Sequence, residues 1–275
     1  MKTIIVATDF SKASRNAAFY AADMAMAINA DIILLHVFQI PIGYMEIPLA
    51  ANVDDLMGDS KKLLAFLKEK LLMRTRGEIS IKIEIVAGIF FQELQAMCEK
   101  KKPYAVIMGS QGTTAADHVF YGSHTVYAMK HLMWPLITVP LEASYSQIKK
   151  ICLACDFDEV IESTPMDEII RLVNDLRAEL HVINSGKEKS PDPEMVFESG
   201  MLNEMLVSVN PKYHFIVDEN AEESIINFVE KNNIDLLITL PKKRDLLKQL
   251  IHKSFSKKMI LQSQVPVLAL HSTTE

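Results

Sequence analysis

The sequence predicts an α/β protein built twice over, as two tandem domains whose parallel sheets carry helices on both faces. Three observations predict it. Short apolar runs of strand length alternate with stretches of helical periodicity along the chain. The C-terminal half repeats the landmarks of the N-terminal half in the same order. Across residues 104–140 an apolar run, a glycine-bearing stretch, a helical pattern and a second apolar run follow one another, as a strand–loop–helix–strand crossover requires.

Thr3–Thr8 reads as the first buried strand, and Asp9-Phe10-Ser11 ends it. Asp9 or Ser11 is placed to cap a helix over Lys12–Asn29. In that helix Ala17, Tyr20, Ala21, Met24 and Ile28 recur at helical spacing, a core stripe rather than a cofactor box. Asp31–Val37 is a second strand, closed by Phe38, and its His36 reads as a core histidine more readily than as a ligand. Gln39–Asp59 contains Pro41, Gly43, Pro48 and Gly58 and reads as a long irregular connection, the kind that serves as lid or partner surface. Lys61–Arg74 is an amphipathic helix and Ile79–Val86 a third strand. Phe91–Lys101 is a helix stopped by Pro103. Ala105–Met108 is the fourth strand, His124–Met133 the next helix and Leu136–Val139 the fifth strand. The polar, aperiodic stretch Glu142–Gln147 is the linker, which divides the chain into domains 1–143 and 148–275.

In the second domain Lys150–Phe157 echoes the first strand with its Asp9-Phe10 end. Leu180-His181-Val182 echoes Leu35-His36-Val37, and Ser224–Lys231 echoes the helix over 92–100. Asp235–Ile238 echoes the fourth strand, and Val265-Pro266-Val267 echoes Trp134-Pro135-Leu136. Ser185–Gly200 reads as a second long connection.

Composition narrows the function. The chain has 275 residues, 49% hydrophobic, enough for two cores, and a net charge of −6 argues against a general nucleic-acid binder. No uncharged apolar stretch is long enough for a membrane span, and Met1–Asp9 reads as a strand rather than a signal peptide, so a cytoplasmic location is expected. Three cysteines make no disulfide framework. Cys152 and Cys155 form a C-x-x-C inside a strand, where residues three apart point to opposite faces, so they read as buried small hydrophobes. The histidines show no metal-ligand spacing, and no protein metal site is expected.

The chemistry is concentrated after the fourth strand. Gly109, Gly112 and Gly122-Ser123 bracket the crossover. Where no Cβ intervenes, backbone N–H groups can lie against a phosphate, and a helix opening at Gly122-Ser123 adds its unsatisfied N–H groups and positive dipole end. Ser123 can cap that helix or donate to a phosphate oxygen. The other reading is that these glycines only form turns. Pro135 and Pro266 lie 131 residues apart, and the same offset sets Leu240, Lys243 and Lys253 against the three glycines and Ser254 against Ser123. Leu240-Pro241 brings a Cβ and removes an N–H, so the second domain is expected to keep the fold and lose this site. Its Lys242, Lys243, Arg244, Lys248, Lys253, Lys257 and Lys258 read as a solvated basic face, with an anion or partner site as the alternative.

Ala7-Thr8-Asp9-Phe10-Ser11, with Gly109-x-x-Gly112-x9-Gly122-Ser123, resembles the ATP-binding form of the universal stress protein family, and the resemblance covers nearly the whole chain as two tandem domains. It implies a Rossmann-like fold for each domain, with five parallel strands in the order 3-2-1-4-5. It implies that Ala7, Thr8 and Asp9 hold the adenine and ribose side, with Asp9 on the ribose hydroxyls, and that Val37 contacts the adenine. Met108, Gly109, Gln111, Gly112, Gly122, Ser123, His124 and Thr125 would wrap the phosphates. For Asp9 the chemistry agrees, since a strand-end carboxylate accepts from vicinal hydroxyls, although helix capping would also explain it. The cofactor implied is ATP, or AMP or ADP in its place, with Mg2+ accompanying the nucleotide. Family domains pair through their last strands, so Pro135–Val139 and Pro266–Leu270 are expected to form a pseudo-dimer within one chain. A further homodimer of chains stays open.

Three functions follow from these readings. The first is a nucleotide-binding stress-response protein that works by conformation or partner binding. The second is an enzyme, for which no P-loop and no nucleophile–base–orienter trio is present, so that slow ATP hydrolysis is the most it would add. The third is a nucleotide-free scaffold or small-ligand carrier.

Overall fold

The computed structural model describes residues 1–38, 53–110, 123–157, 160–186, 193–218, 220–241 and 262–272. The first half runs β1 (Lys2–Ala7), α1 (Lys12–Ile28), β2 (Ala30–Phe38), α2 (Val53–Arg74), β3 (Ile81–Ala87), α3 (Phe90–Lys101), β4 (Ala105–Gly109), α4 (Ser123–His131) and β5 (Leu136–Val139). The second runs β6 (Lys150–Ala154), α5 (Val160–Ser163), α6 (Met166–Leu176), β7 (Glu179–Gly186), α7 (Pro193–Met205), β8 (Lys212–Val217), α8 (Ala221–Lys231), β9 (Leu236–Thr239) and β10 (Val267–Ala269).

Among the described residues ten strands join one sheet in the order β3-β2-β1-β4-β5-β10-β9-β6-β7-β8. Within each half the order is 3-2-1-4-5 and every pair is parallel, as expected of a doubly wound fold. β5 and β10 pair antiparallel, with Ile137 opposite Leu268. Strand side chains alternate between two cores. Ile4 and Val6 pack with α1, α2 and α6 on one face, while Ile5 and Ala7 pack with α3, α4 and α8 on the other. Cys152 and Cys155 are buried in opposite cores, as the strand period requires.

α1 forms because alanine dominates its sheet-facing side and Ser11 caps its first turn, accepting from the Ser14 N–H at 3.0 Å. Asn29 closes it in the left-handed region, its N–H turned back to the last carbonyls. The left-handed residues recur in both halves: Phe10 with Phe157, Asn29 with Arg177, Arg76 with Asn210 and Lys102 with Asn233. The repeat is therefore written in the backbone at its turns as well as in the apolar runs.

Two expected connections are corrected. α2 opens at Val53, so residues 53–59 of the connection expected over Gln39–Asp59 are helical; residues 39–52 lie outside the described residues. Gly58, the residue that argued for a loop, sits inside that helix with nothing near its missing Cβ. In the connection expected over Ser185–Gly200, β7 continues to Gly186 and α7 opens at Pro193, a residue suited to a first helical turn. The linker is strapped down: Asn16 Nδ2 donates to the carbonyls of Pro140 and Ala143 at 2.9 and 2.7 Å, and Tyr145 meets Tyr20 edge-on.

Candidate functional site

The C-terminal ends of β1, β2 and β4 lie side by side on one edge of the sheet. Val6 pairs with Ile107, which sets Ala7 beside Met108, and Ala7 pairs with Leu35. Ala7 and Met108 are buried and give the edge an apolar floor, while Val37 is half-buried beside them. Thr8 is buried and Asp9, the next residue, is exposed. Asp9 Oδ1 accepts from the Ser11 N–H at 3.0 Å, so this carboxylate does help to shape the turn into α1.

Thr8 is held from several sides. Its N–H donates to the Leu35 carbonyl at 2.9 Å, and its own carbonyl accepts from His36 Nδ1 at 2.8 Å. Its hydroxyl lies 3.0 Å from Ser14 Oγ and accepts from the Phe10 N–H at 3.1 Å. Phe10 turns through the left-handed region and sets its ring 4.5 Å from the His36 ring. The sequence singled out neither Phe10 nor Ser14 as site residues; it read His36 as a core histidine rather than a ligand, and its bond to the Thr8 carbonyl satisfies it.

Gly109 ends β4 in close contact with α1. A Cβ there would come within 2.7 Å of the Ala13 carbonyl carbon and 2.9 Å of the Ser14 nitrogen, distances no real side chain occupies. The glycine is therefore required by the first turn of α1 lying against β4, a reason the spacing argument did not contain. Its carbonyl accepts from Thr125 Oγ1 at 3.1 Å, which fastens the first turn of α4 to the end of β4. Ser123 opens α4. His124 is exposed and stacks on Phe90 with 5.2 Å between ring centroids. Gln111, Gly112 and Gly122 lie outside the described residues. The edge thus gathers Ala7, Thr8, Asp9, Val37, Met108 and Gly109, with Thr125 bonded directly to Gly109 and the start of α4 brought up beside it.

The second half keeps the frame and changes this edge. β9 and β10 pair in the register of β4 and β5, which sets Leu240 where Gly109 stands. Leu240 packs half-buried against the core. The helix after β6 is broken at Thr164-Pro165 into α5 and α6, where the first half has the single helix α1. Lys242, Lys243, Arg244, Lys248, Lys253, Ser254, Lys257 and Lys258 lie outside the described residues.

The register also corrects one element of the repeat. Ile4 pairs with Ile32 and Ile151 with Leu180, so Leu180 matches Ile32 and His36 is matched by Asn184, three residues beyond His181. Hydrogen bonds agree. The Cys155 N–H donates to the Ile183 carbonyl at 3.0 Å, and Asn184 Nδ2 donates to the Cys155 carbonyl at 3.1 Å. His181 takes the place of Ile33 and belongs to a separate cluster with Glu179 and His214. Among the described residues no group of three or more His, Cys, Asp or Glu side chains is arranged to hold a metal ion, and no helix is long and apolar enough to cross a membrane.

Comparison with known proteins agrees with this architecture. The family model described as the universal stress protein family matches the chain twice, over residues 1–140 and 148–271. A universal stress protein of Synechocystis is 24% identical over 298 residues, covering 98% of this chain and 99% of its own. Another, from Methanocaldococcus jannaschii, is 24% identical over 141 residues, covering 50% of this chain and 81% of its own. The crystal structure of a universal stress protein from Archaeoglobus fulgidus superposes with a TM-score of 0.71 at 17% identity, covering 98% of both chains, a likeness of fold.

Proposed function

The chain belongs to the universal stress protein family, as two tandem family domains, and on that premise we propose that its first half binds an adenine nucleotide at the C-terminal edge of the sheet. The nucleotide is ATP, or AMP or ADP in its place, with Mg2+ accompanying the phosphates. The observation that carries the reading is the Thr125–Gly109 hydrogen bond, which brings the opening turn of α4 to the strand ends where Asp9 is exposed. A helix start favours negative charge, and a strand-end carboxylate suits ribose hydroxyls, so the two ends of one nucleotide have separate receptors. The remaining residues of the reading, Gln111, Gly112, Gly122, Ser123 and His124, extend the phosphate end.

On this reading the protein is a cytoplasmic binding protein rather than an enzyme, with ATP hydrolysis at most slow. It acts by nucleotide-dependent conformation or partner binding, and the second half serves as its pseudo-dimer mate. Isothermal titration of the full chain with ATP and with AMP tests it. The expected result is about one nucleotide per chain, because Leu240-Pro241 stands in the second half where Gly109 stands in the first, with binding weakened at least tenfold by Asp9→Ala and by Gly112→Val. No heat with either nucleotide would remove the reading.

One observation favours a second reading, a nucleotide-free scaffold or small-ligand carrier. Gly109 is demanded by the packing of α1, so one glycine of the motif would persist with no phosphate to bind. Mass spectrometry of small molecules released from the purified chain separates the two: adenine nucleotide supports the first, and an empty or apolar cargo the second.

A further inference from the structure

We propose that His36 is a positioning residue that aims Asp9 through the carbonyl of Thr8, and that asparagine can do the same work. The proposal rests on the nucleotide reading above. A carbonyl oxygen only accepts, so His36 Nδ1 must carry the hydrogen in the 2.8 Å bond to Thr8. The Thr8–Asp9 peptide is thereby fixed at its carbonyl by His36, between the Ala7–Thr8 peptide, whose N–H is held by Leu35, and the turn made by the left-handed Phe10. Losing the bond to the carbonyl frees that peptide plane to rotate, and the Asp9 side chain, carried on the Cα at the plane's edge, moves with it.

The second half supplies the independent observation. There Asn184 Nδ2 donates to the Cys155 carbonyl, Asp156 follows exposed, and Phe157 is left-handed. Imidazole and amide share only a hydrogen delivered from the same strand position to the same carbonyl. The clamp also persists where Leu240 has replaced the glycine. It therefore goes with the strand-end aspartate and not with the phosphate motif, and where Asp9 holds the ribose its effect falls on that end of the ligand.

The test is isothermal titration of the full chain with ATP and with 2′-deoxy-ATP, on wild type, His36→Asn, His36→Leu and Asn184→Leu. His36→Asn is expected to bind ATP within about twofold of wild type, and His36→Leu about tenfold more weakly, the scale of one buried hydrogen bond. His36→Leu also loses preference for ATP over the deoxynucleotide, a change that general destabilisation would not produce. Asn184→Leu leaves both affinities unchanged. Wild-type affinity and preference in His36→Leu would overturn the proposal, as would a His36→Asn variant as weak as His36→Leu. Failure of wild type to bind either nucleotide overturns the nucleotide reading, and the proposal with it. If His36→Leu does not fold, His36→Met, equally without a donor, takes its place.

Discussion

His181 and His214 stand side by side on β7 and β8, their rings nearly parallel with 5.1 Å between centroids. Glu179 Oε1 accepts from His181 Nε2, and His181 Nδ1 shares a hydrogen bond with His214 Nε2 at 2.9 Å. Lys212 holds the other Glu179 oxygen at 2.8 Å and, with it, keeps this carboxyl below the usual carboxylate range. Burial against Phe228, then the neighbouring His181 and Lys212, push His214 below the ordinary histidine value, with Glu179 pulling the other way. A histidine that is harder to protonate when folded lets the unfolded chain take up the proton first as pH falls. Its contribution is therefore complete above about pH 6.5 and is lost as pH falls towards its lower folded value. Urea midpoints measured from pH 8 to pH 5 should fall in the wild type and fall less steeply in His214→Phe; identical slopes would remove His214 as the cause. Little of this was legible in the sequence. His181 looked like the echo of His36, because Leu-His-Val occurs at both places. The match fails because tripeptides carry no register, whereas ladder pairing does.

At the scale of elements, strand positions were legible because buried parallel strands are continuous apolar runs, and β1, β2, β4 and β5 have that form. Helix ends were legible where a side chain writes them, as Ser11 does for α1. The start of α2 was hidden because glycine argues against helix locally, yet Gly58 is helical with open space beside it. The docking of α1 on β4 was hidden for a different reason: a glycine spaced for a phosphate loop and a glycine needed for backbone contact look alike in sequence. The contact predicts its own test. In Gly109→Ala the added Cβ meets backbone rather than a yielding side chain, so α1 or β4 must shift. The expected cost is about 1–3 kcal/mol, the range for overpacking a close-packed site. It should appear in denaturant unfolding without nucleotide present, which separates it from any loss of binding. An unchanged midpoint would mean that α1 rides up at no cost.

At the scale of the molecule, each half is a complete doubly wound sheet, and one antiparallel seam makes them continuous. Apolar packing, hydrogen bonds and an ion pair fasten the seam. Ile137 and Leu268 face each other in register, both buried in one shared core that also contains residues of α1 and α6. Thr138 Oγ1 donates to the Val267 carbonyl, and His271 Nε2 bonds the Met129 carbonyl in the last turn of α4. Lys2 pairs with Asp175 at 2.6 Å across the two halves. The ion pair is part-exposed and contributes little, so apolar burial carries the seam. Ile137→Asp places a carboxylate opposite Leu268, in a cleft whose lining cation, Arg171, is already seated over the Tyr104 ring and whose Glu168 repels it. An uncompensated buried charge costs about 3–5 kcal/mol. The chain can lower that cost by opening the seam and wetting the carboxylate, while each half retains its own parallel ladder. Scanning calorimetry is expected to show one transition for the wild type and two for the variant, the lower one belonging to the first half, which carries the charge. Limited proteolysis should cut first between Pro140 and Lys149, where the strap from Asn16 would no longer be braced by the joined sheet. A single transition displaced to lower temperature would mean instead that the halves cannot fold apart, and that the ten-stranded sheet is the cooperative unit.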